Sequence, residues 1–226
     1  MAKKKKNGKT AHEDEPKLPV PIARVEAQRD PRRGSVSRTT KETDVRVLLD
    51  LDGNGTHEID TGVPFFDHML STFSHHSLFD LQVFARGDVS VDPHHTVEDV
   101  GLCIGRALLD ALGNKSGIYR YGESTRPFDE ALVRCYLDLC GRPSFVYRVQ
   151  VPAGRIGTFD VELAEVFFTA LANEAKMNLH LILEYGSNRH HIVEGCFKTL
   201  AFALRRATEV DARRALTVPS TKGNLD

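Results

Sequence analysis

The sequence His-His-x-x-Glu occurs twice, as His94-His95-Thr96-Val97-Glu98 and as His190-His191-Ile192-Val193-Glu194. Imidazole and carboxylate side chains bind divalent metal ions. In each copy the first His and the Glu are four residues apart, so on a helix they share a face and can grip one ion. The second His points roughly 100° away, toward a different ion. Two copies therefore predict two metal sites, each fed by both motifs. With no thiolate nearby, the donors suit Mn2+, Fe2+ or Zn2+. The zincin pattern His-Glu-x-x-His is absent, and Asp99 following Glu98 also misses the inverted pattern, which argues against a metalloprotease.

The motifs belong to a longer internal repeat. Asp67-His68-Met69-Leu70 aligns with Glu165-Val166-Phe167-Phe168, and Leu81-Gln82-Val83-Phe84 with Leu179-His180-Leu181-Ile182. After the His pairs, Ile104, Ala107 and Leu108 fall on Leu200, Ala203 and Leu204. The period is too long for a solenoid, so the pattern reads as a duplicated half-domain. His68 is the natural extra ligand of the first copy. Its counterpart Val166 cannot coordinate, so the two sites need not be equivalent. His75 and His76 are weaker candidates as ligands or substrate contacts. His180 lies among apolar neighbours, and His57 and His12 read as incidental.

The elements that position these residues follow from periodicity. Ser35–Leu51 alternates and predicts a strand, with Asp52-Gly53-Asn54-Gly55 turning the chain so that Thr56–Ile59 returns as a hairpin partner. Pro64 opens a helix with Phe65, Phe66, Met69, Leu70 and Phe73 at helical spacing. Leu81–Ala85 and Val89–Val91 read as a second hairpin. His95 to Leu112 is helical, closed by Gly113. Further strands are predicted near Tyr119–Gly122, Ala131–Leu139, Ser144–Val149 and Met177–Glu184. Helices are predicted over Val161–Ala175 and from His190 to Val210, the latter capped by Asn188. The expected fold is α+β: two small antiparallel-type sheets, each with two helices on one face, in a two-layer sandwich. The expected divisions are a disordered tail over 1–32, repeat halves over 33–118 and 119–215, and a C-terminal substrate-binding tail over 216–226.

Composition narrows the function classes. The chain has 226 residues, 41% hydrophobic and 27% charged, which is ordinary for a globular protein with a sizeable core. A net charge of −1 gives no field favouring nucleic acid or an anionic membrane. No apolar run is long enough to span a bilayer. The basic Lys3–Lys6 segment is not followed by an apolar stretch, so it does not read as a secretory signal. Cys103, Cys135, Cys140 and Cys196 form no Cys-x-x-Cys pair and read as free thiols of a cytoplasmic protein.

An anion site is a further expectation. Arg120, Arg142, Lys198 and the Ser220-Thr221-Lys222-Gly223 segment offer paired donors, point charges and a hydroxyl. Lys198 lies four residues beyond Glu194, so a phosphate held there would lie near the metals.

Five segments together resemble a known family. Phe-Phe-Asp-His-Met-Leu (65–70), His-His-Thr-Val-Glu-Asp (94–99), Leu-Asp-Leu-Cys-Gly-Arg-Pro (137–143), His-His-Ile-Val-Glu (190–194) and Pro-Ser-Thr-Lys-Gly (219–223) are similar, in order, to imidazoleglycerol-phosphate dehydratases of histidine biosynthesis. The resemblance runs from about Arg32 to the C-terminus. It implies two Mn2+ ions per active site, held by His68, His94, His95, Glu98, His190, His191 and Glu194. It also implies sites formed between subunits of a homo-oligomer of 24 chains, and phosphate contacts from Arg120, Arg142, Lys198, Ser220 and Lys222. Glu42 matches an acidic residue that contacts substrate. Plant members carry a His ligand where this chain has Val166. No phosphatase domain precedes the match, so a single activity is expected.

The implied reaction converts imidazole glycerol phosphate to imidazole acetol phosphate. The proton to be removed has no adjacent carbonyl, so the imidazole ring must provide the route. Cations at both ring nitrogens would stabilise an imidazolate. Its electron density can expel the neighbouring hydroxyl, giving a diazafulvene-like species. Loss of the carbon proton then gives an enol, which becomes the ketone. Glu42 is the first candidate to move protons, with Glu194 and Asp129 as alternates. Asp129-Glu130 otherwise reads as a polar turn before a strand. The rival readings are a two-metal phosphate-ester hydrolase and a non-catalytic metal-binding or shell-forming protein.

Overall fold

A computed structural model describes Met1 and residues 31–225. Nearly all of the expected disordered tail, with His12 and Lys3–Lys6, lies outside the described residues. The chain runs β1 (Arg33–Thr39), β2 (Thr43–Asp50), β3 (His57–Asp60), α1 (Pro64–Ser77), β4 (Asp80–Gly87) and α2 (His94–Leu112). It then runs β5 (Tyr121–Phe128), β6 (Ala131–Asp138), β7 (Ser144–Arg148), a small hairpin of β8 (Arg155–Ile156) and β9 (Phe159–Asp160), α3 (Leu163–Glu174), β10 (Asn178–Tyr185) and α4 (Arg189–Thr208). The sheets have orders β1-β2-β4-β3 and β5-β6-β10-β7. The topology is the same in both, so the duplication inferred from the repeat is visible in three dimensions.

Strand alternation sets the layers. Val45, Val47 and Leu49 of β2, and Leu81, Val83 and Ala85 of β4, point inward and are buried. Val133, Cys135 and Leu137 of β6 do the same in the second sheet. Helix α2 packs on β1 and β2, and α4 packs on β5 and β6. Across the middle, α1 packs against α4 and α2 against α3, so the helices lie between the sheets and one core spans both halves. Phe66, Phe167 and Phe197 join the halves, with ring centroids 5.2 Å (Phe66–Phe167) and 5.1 Å (Phe167–Phe197) apart.

Two glycines mark the repeat at the closest strand–helix approach. A Cβ on Gly34 of β1 would lie 2.0 Å from the carbonyl oxygen of Ala107 in α2. A Cβ on Gly122 of β5 would lie 2.0 Å from the carbonyl oxygen of Ala203 in α4. Ala107 and Ala203 are the residues aligned in the sequence repeat, so each half keeps a glycine where only a hydrogen fits.

Four sequence expectations need correction. The strand expected over Ser35–Leu51 is two strands, because Thr40 Oγ1 accepts the N–H groups of Glu42 and Thr43 at 3.1 and 3.0 Å and turns the chain. The Thr56–Ile59 segment does not fold back on β2 but pairs parallel with β4. The Asp80 carboxylate accepts the N–H groups of Asn54 and Thr56 at 2.9 and 2.8 Å, which ties the intervening loop to the start of β4. Val89–Val91 is not a strand. The Val91 N–H donates to the Asp88 carbonyl at 2.7 Å, and Asp92 accepts the His94 N–H at 2.7 Å, so the segment turns directly into α2. Finally, the sheets are mixed, since β3 and β7 are parallel edge strands. The Asn188 cap of α4 is present: its side chain accepts the N–H groups of His190 and His191.

The C-terminal segment folds back onto the body. Lys115 Nζ donates to the Leu225 carbonyl at 3.1 Å, and Arg120 Nη1 to that of Pro219 at 3.0 Å. Among the described residues, no helix is long and apolar enough to cross a membrane.

Candidate metal centre and active site

Helix α4 places its motif as the spacing predicts. One turn apart, His190 Nε2 lies 2.9 Å from Glu194 Oε2. Helix α1 crosses α4 and brings His68 Nε2 to 3.6 Å from the same oxygen. His68, His190 and Glu194 each offer a ligand atom within 4.8 Å of one another, the one such set of three or more among the described residues. Two nitrogens and one oxygen fit a divalent ion of intermediate hardness. Glu194 is buried and both histidines are more open. An ion there would be gripped from inside and reached from outside.

The other oxygen of Glu194 lies 2.7 Å from Lys198 Nζ. Burial alone would raise the Glu194 pKa, but the Lys198 ammonium and the His190 hydrogen bond outweigh it, so the group sits below the usual carboxylate range. Lys198 also rests 3.6 Å from the ring centroid of Phe128, and that ring packs edge-on against His191 at 4.9 Å.

His191 points away from the triad, toward the turn between β5 and β6. Its Nδ1 lies 2.6 Å from Glu130 Oε2, and its Nε2 lies 3.5 Å from Asp129 Oδ2. The other Glu130 oxygen accepts the N–H groups of Ser187 and Asn188 at 3.2 and 2.7 Å. Hydrogen bonds from His191 first, and from Asn188 next, lower the Glu130 pKa to about 2.

The first motif opens α2. His94 and Glu98 are exposed, while Asp99 is buried. The His94 and His95 rings are 6.0 Å apart at 83°, close to the 6.1 Å and 77° of His190 and His191. His95 Nδ1 lies 3.0 Å from Asp88 Oδ2 and 3.9 Å from Glu42 Oε2. The Asp88 hydrogen bond raises the His95 pKa above its ordinary value. Asp99 accepts from Arg38 Nε at 2.9 Å and from the Thr43 hydroxyl, which ties the Glu42 turn to α2. Val166, counterpart of His68, is half-buried on α3.

The basic residues divide into two groups. Lys198 stays with the triad. Arg120, Arg142, Ser220 and Lys222 line a cavity of about 590 Å³ together with Arg214. That cavity lies by the other end of α4, since the Arg120 N–H donates to the Ala207 carbonyl. At 1.5 Å per residue, His191 and Ala207 are on the order of 24 Å apart along the helix. Arg120 is also partly committed, because its Nε and Nη2 pair with Asp138 at 2.7 and 2.9 Å.

His76, His57 and His180 have structural surroundings, while His75 is exposed beside His76. His76 packs on Phe202 at 5.3 Å, and burial lowers its pKa. His57 Nδ1 lies 3.1 Å from the Gly55 carbonyl oxygen, and His180 is half-buried in β10. Sequence reasoning passed over Asp88, Glu130 and Phe128. The repeat itself points to Glu130. Glu42 immediately precedes β2 and Glu130 immediately precedes β6, strands of the same length and place in the two sheets.

Known proteins are similar to this chain in sequence and fold. Residues 61–204 match the family model of imidazoleglycerol-phosphate dehydratase. The chain is 53% identical over 194 residues to the imidazoleglycerol-phosphate dehydratase of Roseobacter denitrificans, covering 86% of this chain and all of that one. It is likewise 53% identical over 194 residues to a Geobacillus enzyme of the same name, covering 86% of this chain and 99% of that one. The crystal structure of the Staphylococcus aureus imidazoleglycerol-phosphate dehydratase superposes with a TM-score of 0.73 at 35% identity, covering 79% of this chain and 99% of that one. A crystal structure from Pyrococcus furiosus gives the same score and identity, covering 84% of this chain and all of that one. Repeat, topology and full-length relatives converge: the chain belongs to the imidazoleglycerol-phosphate dehydratase family.

Proposed function

We propose that this hydro-lyase removes water from imidazole glycerol phosphate in a Mn2+-dependent reaction, with two ions per active site. The observation that carries the metal requirement is the convergence of His68, His190 and Glu194 from two crossing helices. When bound, the ions would act as Lewis acids on the imidazole ring. His68, His190 and Glu194 would hold one ion, and His94 with Glu98 the other. His95 and His191, turned away from these sets, would complete them in a neighbouring subunit. The second set lacks a third ligand from its own chain because Val166 stands where the first has His68.

The rest of the chemistry belongs to this chain's side chains. Glu42 is exposed on its turn beside His95 and would move protons at the substrate carbons. Asp129, beside His191, and Glu194 are the alternates. Lys198, Arg142, Ser220 and Lys222 would clamp the phosphate, so that binding energy far from the reacting carbons orients the ring. Arg120 would hold the Pro219 loop that presents Ser220 and Lys222, and contribute its remaining donors.

A small substrate cannot bridge the length of α4. We infer that one chain's basic cavity meets another chain's metal ligands in a homo-oligomer, as in the 24-subunit shell that the resemblance implies. Incubation with imidazole glycerol phosphate, with and without chelator, tests the function, and light scattering tests the assembly. Ketone formation that chelator abolishes is the expected result. Turnover that persists in metal-free protein, or release of free phosphate instead of ketone, would overturn the proposal.

A further inference from the structure

Glu42 and Glu130 occupy the same place in the two halves, yet they are engaged differently. Glu130 contacts His191 at 2.6 Å and braces the entry to α4 through two backbone N–H groups. Glu42 stands 3.9 Å from His95, beyond hydrogen-bond reach. In the first half the contact is made instead by Asp88, at 3.0 Å. The segment after β10, Gly186-Ser187, offers no carboxylate to do the same in the second half.

An ionised carboxylate only accepts, so the His191 and His95 nitrogens that face these groups must carry the proton. Both contacts are to Nδ1. In a neutral ring the Nε2 lone pair is then left outward. Asp129 is 3.5 Å from His191 Nε2, too far for a well-formed hydrogen bond, so that lone pair is uncommitted. Asp88 Oδ1 is buried with no partner, so the group's hydrogen bonding is concentrated on His95.

We propose that Glu130 and Asp88 are positioning residues that fix the second histidine of each motif by Nδ1 and present Nε2 to a metal ion. The duplicated glutamates have thereby taken different roles. Glu130 orients a ligand, while Glu42, relieved by Asp88, is free to face substrate. This rests on the metal-dependent function proposed above. Outer carboxylates of this kind typically contribute 10–100-fold in metal affinity.

Glu130→Gln is the sharp test. Its amide oxygen can still accept from Ser187 and Asn188, so the brace on α4 survives. Its NH2 group would face Nδ1 and donate, moving the ring proton to Nε2, the nitrogen needed by the metal. The full-length protein is stripped with chelator and titrated with Mn2+ by calorimetry. Glu130→Gln and Asp88→Asn should each weaken one class of Mn2+ site about 10–100-fold. Glu42→Gln should leave Mn2+ affinity unchanged while lowering turnover. Thermal unfolding of the metal-free proteins checks that the fold is kept, and Asp88→Asn, which touches nothing on α4, decides if Glu130→Gln does not fold. Variants that bind Mn2+ as tightly as a Mn2+-binding wild type overturn this inference alone. A wild type that takes up no Mn2+ overturns the functional proposal and this inference with it.

Discussion

Lys198 Nζ and Glu194 Oε1 are 2.7 Å apart, one helical turn from the His190 contact on the opposite oxygen. A single buried carboxylate thus joins a candidate metal triad to a candidate phosphate-binding cation. An ammonium beside a metal ligand repels the ion, so metal binding alone gives no reason for a lysine here. An anionic substrate does. Lys198→Met should raise KM about 10-fold or more, the scale of one lost charge-assisted hydrogen bond. Bound Mn2+ per chain should stay the same. Metal analysis beside steady-state kinetics checks this, and an unchanged KM would remove Lys198 from the phosphate site.

Glu194 accepts contacts from His68, His190 and Lys198. Glu194→Gln keeps the shape and removes the charge. It should lower Mn2+ content and abolish measurable turnover. Full Mn2+ occupancy in the variant, measured by elemental analysis, would count against the triad.

Val166 and His68 are aligned in the sequence repeat, so the two proposed in-chain ligand sets are unequal. Val166→His should tighten the weaker Mn2+ site by about 10-fold or more, since an added imidazole replaces a water. Competitive titration with a metal chelator reads the change. An unaltered weak site would show that Val166 lies away from the ion.

The paired strand–helix contacts predict paired damage. Gly34→Ala and Gly122→Ala each force a methyl group to 2.0 Å from a helix carbonyl oxygen. Each should destabilise the fold by about 1–3 kcal/mol, as overpacking at a tight contact does. Denaturant midpoints measure it. A wild-type midpoint for either variant would mean that the helix can move away.

Asp80 provides a pH-dependent test of the loop before β3. The Asn54 N–H, against an opposing effect of burial and with help from Thr56, holds its pKa below the ordinary 3.8. A carboxyl depressed on folding stabilises fully above its unfolded pKa and loses that contribution as pH falls through its folded pKa. Asn keeps the oxygen that accepts both N–H groups and removes only a solvent-screened charge, so Asp80→Asn should cost up to about 1 kcal/mol near neutral pH. The gap from wild type should close below pH 3.8. A gap that persists unchanged in acid would show that charge is not what ties the loop.

Much of this was legible in sequence for identifiable reasons. Helices α1, α2 and α4 carry long apolar periodicity, and Pro64, Gly113 and Asn188 mark boundaries with specific backbone chemistry. The four-residue spacing in His190–Glu194 fixes their contact before any tertiary structure is known. What escaped was long-range or local-turn detail. Nothing in His57–Asp60 says that it pairs parallel with β4, because the tie is made by Asp80, far along the chain. The break at Thr40 was hidden because Thr fits the alternation of a strand as well as it fits a turn. Glu130 reads as a turn residue because its partner, His191, lies 61 residues further along the chain. The separation of Lys198 from the Arg142 cavity depends on the length of α4 and on where the tail is tethered, which residue types alone do not reveal.

The exchange of helix partners, α1 with α4 and α2 with α3, bears on how such a chain could have arisen. A solitary first half would leave Phe66 without its aromatic neighbours and its helices bare. Only a second copy could cover them, so an unfused ancestor would have lived as a symmetric dimer. Joining the copies end to end would have turned a subunit boundary into the middle of one molecule. Sequence drift on either side was then no longer bound to be identical, and unlike residues at matching positions, such as His68 and Val166 or Asp88 and Gly186, became possible.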